Sequence, residues 1–152
     1  AGLVPIHTLY TDIDFAFPRP LDWIFDHDSF VYRWERHGFA NSALMSVRDD
    51  SPVKHGALLD LTIRLGTPIP WILFSDENCD ALGLEILSCD RIDPLWSATY
   101  ESGSKFAEFF ARADDAAARL RRLRDDFDAI HWHNRWDVAP EPGSPYDLWL
   151  NE

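Results

Sequence analysis

The feature that most constrains the fold of this chain is a change of hydrophobic period along its length. Before residue 100 the apolar residues recur mostly at every second position, and beyond it at every third or fourth. Period two belongs to strands with one face buried, and the longer period to a helix with an apolar stripe.

Several segments carry the first pattern. Phe30, Tyr32 and Trp34 alternate with Val31, Arg33 and Glu35, and strong strand formers dominate the run. His37-Gly38 can turn the chain into a second strand from Phe39 to Val47, which predicts a hairpin; a helix across 29–36 competes with it. Leu59, Leu61, Ile63 and Leu65 alternate with Asp60, Thr62 and Arg64 and predict a strand that ends at Gly66. Thr67-Pro68-Ile69-Pro70 reads as an extended link into the apolar run Trp71–Phe74, with Asp76, Glu77 and Asn78 as an acidic turn. Leu82, Leu84 and Ile86 predict another strand, and Leu3 to Phe17 one or two short ones. Pro20 suits the first turn of a short helix through Leu21, Ile24 and Phe25.

The second pattern begins at Ser104, a plausible N-cap. Phe106, Phe109, Phe110, Ala113, Ala117, Leu120, Leu123, Phe127 and Ile130 trace one stripe, which predicts a single long helix to about Asp128. The expected fold is α+β: a mostly antiparallel sheet of about five or six strands against one long helix in the C-terminal half. At 152 residues the chain fits a single domain, 1–152, with an extended proline-rich tail at 137–152.

Charge narrows the function classes. A formal net charge of -12 repels nucleic acid and anionic membranes and favours a basic protein partner. The arginines from Arg119 to Arg124 are balanced by Asp114, Asp115, Asp125 and Asp126, so they make no nucleic-acid footprint. No apolar run approaches the roughly 18 residues of a membrane span, and Ala1-Gly2-Leu3-Val4 shows neither the basic nor the apolar region of a signal peptide, so the expected compartment is the cytoplasm. A leader removed before residue 1 would leave a periplasmic location open. Unmatched acid at Asp49, Asp50, Asp76, Glu77, Asp80 and Asp93, together with Trp96 beyond Asp93-Pro94, forms the candidate partner-binding set.

Reaction chemistry leaves fewer marks. There is no nucleophile elbow, no glycine-rich phosphate loop and no CxxC pair, and Cys79 and Cys89 read as buried thiols. No catalytic residue, cofactor or metal is therefore expected. The alternative rests on His131-Trp132-His133, whose two imidazoles face one side if the segment is extended, with Asp137 as a third ligand. The competing reading is structural, with His131 near a helix C-terminus and Trp132 or Trp136 closing the core.

The pattern as a whole points to an acidic protein-binding module, an inhibitor or immunity-type protein that occludes the active site of a basic, nuclease-like or nucleotide-handling bacterial toxin. A small metal-dependent hydrolase using His131, His133 and Asp137 is the first alternative, and a viral nucleic-acid mimic or assembly protein the second. Surplus Trp and Phe could serve a homodimer as readily as a cognate toxin.

Overall fold

Strand formers take up strand structure where alternation and turns agree. The computed structural model describes residues 6–34, 39–93, 109–133 and 139–152, and these hold strands β1 (His7–Thr11), β2 (Phe15–Ala16), β3 (Phe30–Arg33), β4 (Asn41–Arg48), β5 (Glu85–Ser88) and β6 (Ile130–His131). The helices are α1 (Ala57–Leu65), α2 (Pro70–Leu73), α3 (Asp76–Leu82), α4 (Ala116–Asp126) and α5 (Pro145–Leu150), with a 3-10 helix at Leu21–Asp26. The chain is mixed α/β and divides into two units, Ala1–Ile13 with Asp22–Ser88, and Asp14–Leu21 with Cys89–Glu152. Among the described residues no helix is long and apolar enough to cross a membrane.

The first unit is built on a four-stranded sheet of order β1-β4-β3-β5. β4 pairs antiparallel with both β1 and β3, whereas β5 runs parallel to β3, with Phe30 opposite Glu85 and Arg33 opposite Ser88. A parallel pair needs a crossover, and α1 to α3 lie in it. Val31, Leu61, Leu73, Phe74, Leu82 and Leu84 bury their side chains together. Each such burial contributes roughly 1.5–3 kcal/mol relative to exposure. Several part-buried polar groups in this unit pair with one another: the Tyr32 hydroxyl accepts from Asn41 Nδ2 at 2.8 Å, and Ser46 Oγ lies 2.8 Å from His7 Nδ1.

In the second unit β2 and β6 form an antiparallel pair, with Phe15 opposite His131. Phe110, Leu123, Ile130 and Trp132 make its core, and Tyr146 of α5 places its ring 4.8 Å from Phe110 and 4.7 Å from Trp132. Ser144 caps α5, its Oγ accepting from the Asp147 N–H at 3.1 Å, with Pro145 in the first turn.

The expected fold class is corrected on two points. Neither sheet reaches five or six strands, because three segments expected to be strand, extended run or turn are helical. Leu59 to Leu65 alternates, but leucine is also among the best helix formers, and the segment winds as α1 until Gly66 at φ 67 closes it with a bond from its N–H to the Ile63 carbonyl. Pro70 opens α2, and Ser75 caps α3, where Asp76 and Glu77 suit the positive end of the helix.

The second correction concerns the long helix, and among the described residues there is none. Ser104 and Phe106 lie outside the described residues; from Phe109 onward, helix is interrupted before α4 begins at Ala116. The interruption has a cause remote in sequence. Glu141 N–H donates to the Phe110 carbonyl at 2.8 Å, the Glu141 carboxylate accepts from Arg112 N–H at 2.9 Å, and Ala113 N–H reaches the Gly143 carbonyl at 3.5 Å. Backbone groups that a continuous helix would pair internally are thus taken by the tail. Of the predicted stripe Phe110, Leu120, Leu123 and Ile130 are buried and Phe109, Ala113 and Phe127 half-buried, but Ala117 is exposed and Ala116 takes the inward position instead.

Candidate functional site

In the first unit, α3 owes its position to the Ser75 cap and to Cys79 and Leu82, which turn into the core. The four-residue spacing of Asp76 and Asp80 puts both carboxylates on the opposite, exposed side. That side borders β5 along a groove of about 540 Å³, lined by Asp76, Asp80, Arg33 and residues 84–88. Three carboxylates, Asp76, Asp80 and Glu85, line it together with the Arg33 guanidinium, which is bonded to Asp76, while Glu85 Oε2 lies 3.2 Å from Nδ1 of His27. Cys79 lies beneath, and its thiol is pushed up to about 11, chiefly by burial, with Arg33 opposing and Asp80 adding to the shift. A thiol so held stays protonated and inert at neutral pH.

The other acidic residues singled out from sequence divide three ways. Asp49 and Asp50 are exposed after β4 but are held by ion pairs, Asp49 with Lys54 at 3.3 Å and Asp50 with Arg48 at 2.8 Å. Glu77 is exposed in the first turn of α3 and does not line the groove. Asp93 is fully buried in the second unit, so it contributes no exposed charge. Trp96 and Asp137 lie outside the described residues.

Asp93 joins the two histidines instead. His133 Nε2 is 2.8 Å from Asp93 Oδ1, and His131 Nδ1 is 3.5 Å from Asp93 Oδ2. On its other side His131 presents Nε2 to Asp14 Oδ1 at 3.2 Å. The His131 ring is held between two others: Phe15 stacks on it at 4.5 Å and His133 at 4.0 Å. Pairing of β2 with β6 brings Phe15 opposite His131, and a left-handed backbone at His133, φ 51, folds its ring back over His131. Left-handed backbone is uncommon outside glycine, and it costs about 1 kcal/mol or more unless the surroundings hold it.

Burial works to raise the Asp93 carboxyl, but hydrogen bonds from His131 and His133 and the electrostatic attraction of the two imidazoles outweigh it and hold the group below the usual carboxylate range. One ligand atom from each of Asp93, His131 and His133 can be chosen so that all lie within 4.8 Å of one another, a set able to hold a metal ion.

Sequence reasoning placed the two histidines on one side but paired them with Asp137; the carboxylate that meets them is Asp93, 40 positions from His133. Asp14 reads in the sequence only as one of many unmatched acids, and Arg33 and Glu85 were not singled out. An aspartate between two short apolar segments, as Asp14 is, was the one visible sign of a buried acid. Comparison with protein-family models, with curated protein sequences and with solved structures finds no match for the chain.

Proposed function

We propose that the protein is an acidic binding module that takes a basic, extended segment of a partner protein along β5. The observation that carries this reading is the groove itself, which gathers Asp76, Asp80 and Glu85 beside the last strand of the sheet among the described residues. An added strand gains main-chain hydrogen bonds, and alternate side chains can reach the carboxylates. The net charge of -12 steers a cationic partner toward the molecule from a distance. Trp71 and Ile72 on α2 are 57% and 38% exposed, and they offer apolar area for a partner to cover. A nuclease-like toxin that binds phosphate through a cationic loop fits this chemistry, and sequestering that loop would occlude its active site.

Immobilised peptides that alternate valine with arginine, and the same peptides with glutamate in place of arginine, test the groove. The arginine peptides are expected to bind wild-type protein and to lose most of that binding to Asp80→Lys. Equal retention of both peptide sets, or indifference to Asp80→Lys, contradicts the reading. The inhibitory step is tested on a native partner that is captured by wild type and not by Asp80→Lys. That partner should hydrolyse nucleic acid or a nucleotide and should lose this activity when the protein is added. A captured partner without phosphate chemistry contradicts the inhibitor reading.

A further inference from the structure

The second unit carries a site of a different kind. We infer that Asp93, His131 and His133 bind a divalent transition-metal ion of the zinc class. Imidazole nitrogen and carboxylate oxygen are the donors such ions take, whereas magnesium and calcium favour all-oxygen sets. Around a tetrahedral zinc ion with bonds of about 2.0–2.1 Å, donor atoms stand roughly 3.3 Å apart. The separations of His133 from Oδ1 of Asp93 and of His131 from Oδ2, 2.8 and 3.5 Å, lie close to that value, and one donor atom from each of the three residues can be chosen so that all stand within 4.8 Å of one another.

Three further features of the same cluster favour a cation. Asp14 lies 3.2 Å from Nε2 of His131, the nitrogen that does not face Asp93. That approach is an electrostatic contact, and a small ring rotation would make Asp14 the outer hydrogen-bond partner that orients a metal-ligating imidazole. Asp14 and Asp93 together also bring two carboxylates into a buried setting, and a divalent ion held by neutral imidazoles would supply the charge that balances them. The left-handed backbone at His133 turns its ring toward Asp93 and onto His131 at a conformational cost, and strain of this kind collects at functional sites. The His131 side chain is 6% exposed, that of Asp93 0% and that of His133 11%. A bound ion would be almost sealed from solvent, and it would tie Asp93 to the end of β6.

The full chain, stripped of metal with a chelator, is titrated with zinc chloride in a calorimeter and then melted with and without zinc. One ion per chain and a rise of several degrees in melting temperature are expected, with no response to magnesium. His133→Ala should abolish both effects, and His55→Ala, at an exposed histidine of the first unit, should change neither. Asp14→Asn should keep the site but weaken zinc roughly 10–100-fold, as loss of a ligand's own hydrogen-bond partner does. Cobalt substitution needs no variant: intense visible absorption is expected from a tetrahedral nitrogen and oxygen set. No heat, no melting shift and no cobalt band in the wild-type chain would mean a purely structural hydrogen-bond cluster and would overturn the inference. Zinc bound equally well by His133→Ala would overturn it too.

Discussion

Asp76 and Asp80 stand exposed on one face of α3 in the first unit, while in the second Asp93 is enclosed by two imidazoles with no exposed surface at all. The same side chain is put to different uses by its surroundings. In water a carboxylate costs little to hold, acts on partners over about 8–10 Å before salt screens it, and adds little to stability. Inside, it is tolerated only with opposite charge and donors supplied, and those partners then depend on it in return. A chain of net charge -12 therefore uses its acid in at least two ways, and a count of aspartates cannot separate them.

The sharpest way to break that contrast is to remove the enclosed carboxylate. Asp93→Ala in the metal-stripped chain leaves His131 and His133 facing a void, and a loss of about 3–5 kcal/mol in urea unfolding is expected. A loss under about 1 kcal/mol, the range of exposed ion pairs, would place Asp93 with the surface acids. A second large effect calibrates the first. Phe110 is 4% exposed and packs on Trp132 and Tyr146, so Phe110→Ala should also cost roughly 3–5 kcal/mol. A small cost there would mean that this core has relaxed around the deletion.

Cys79 sharpens the comparison from the first unit, because it lies under the acidic face and yet obeys the rules of the interior. Its folded value of about 11 exceeds the ordinary 9.0, so the folded state holds the thiol proton more tightly than the unfolded state does. The stability this contributes is present below about pH 9 and is lost as pH rises from there through about 11. Unfolding measured across that window should show the decline in wild type and a shallower one in Cys79→Ala. Matching slopes would contradict the assignment. The smallest expected effect belongs to the groove: Asp80→Asn should change stability by no more than about 0.5 kcal/mol, since the group is exposed.

What the sequence made legible was local. The antiparallel pairing of β3 with β4 followed from alternation, the 3-10 helix from Pro20, and the burial of Phe110, Leu120 and Leu123 from their spacing, while the turn expected at His37-Gly38 lies outside the described residues. The errors arose where two local readings fit equally, or where a distant segment decided between them. Leu59 to Leu65 satisfies a strand by alternation and a helix by propensity, and packing of Leu61 in the core accompanies the helix. The long helix was consistent along residues 104–128 themselves, and its interruption depends on Glu141 and Gly143, which the pattern could not connect to Arg112 and Ala113. Likewise the histidine pair was visible at its two-residue spacing, but its carboxylate came from a turn 40 positions away. Asp76 and Asp80 were legible as acid; that they share a groove with Glu85 required the crossover that lays β5 beside β3.

The central claim, that exposed acid in the first unit recruits a basic partner while buried acid does not, is tested most directly by association kinetics. The association rate of an arginine-valine peptide is measured across a salt series for wild type, Asp80→Lys and Asp14→Asn. The account predicts that the wild-type rate falls steeply with salt while dissociation changes little, that Asp80→Lys is slow throughout, and that Asp14→Asn matches wild type. A salt-independent association rate, or an Asp14→Asn chain as slow as Asp80→Lys, would contradict it.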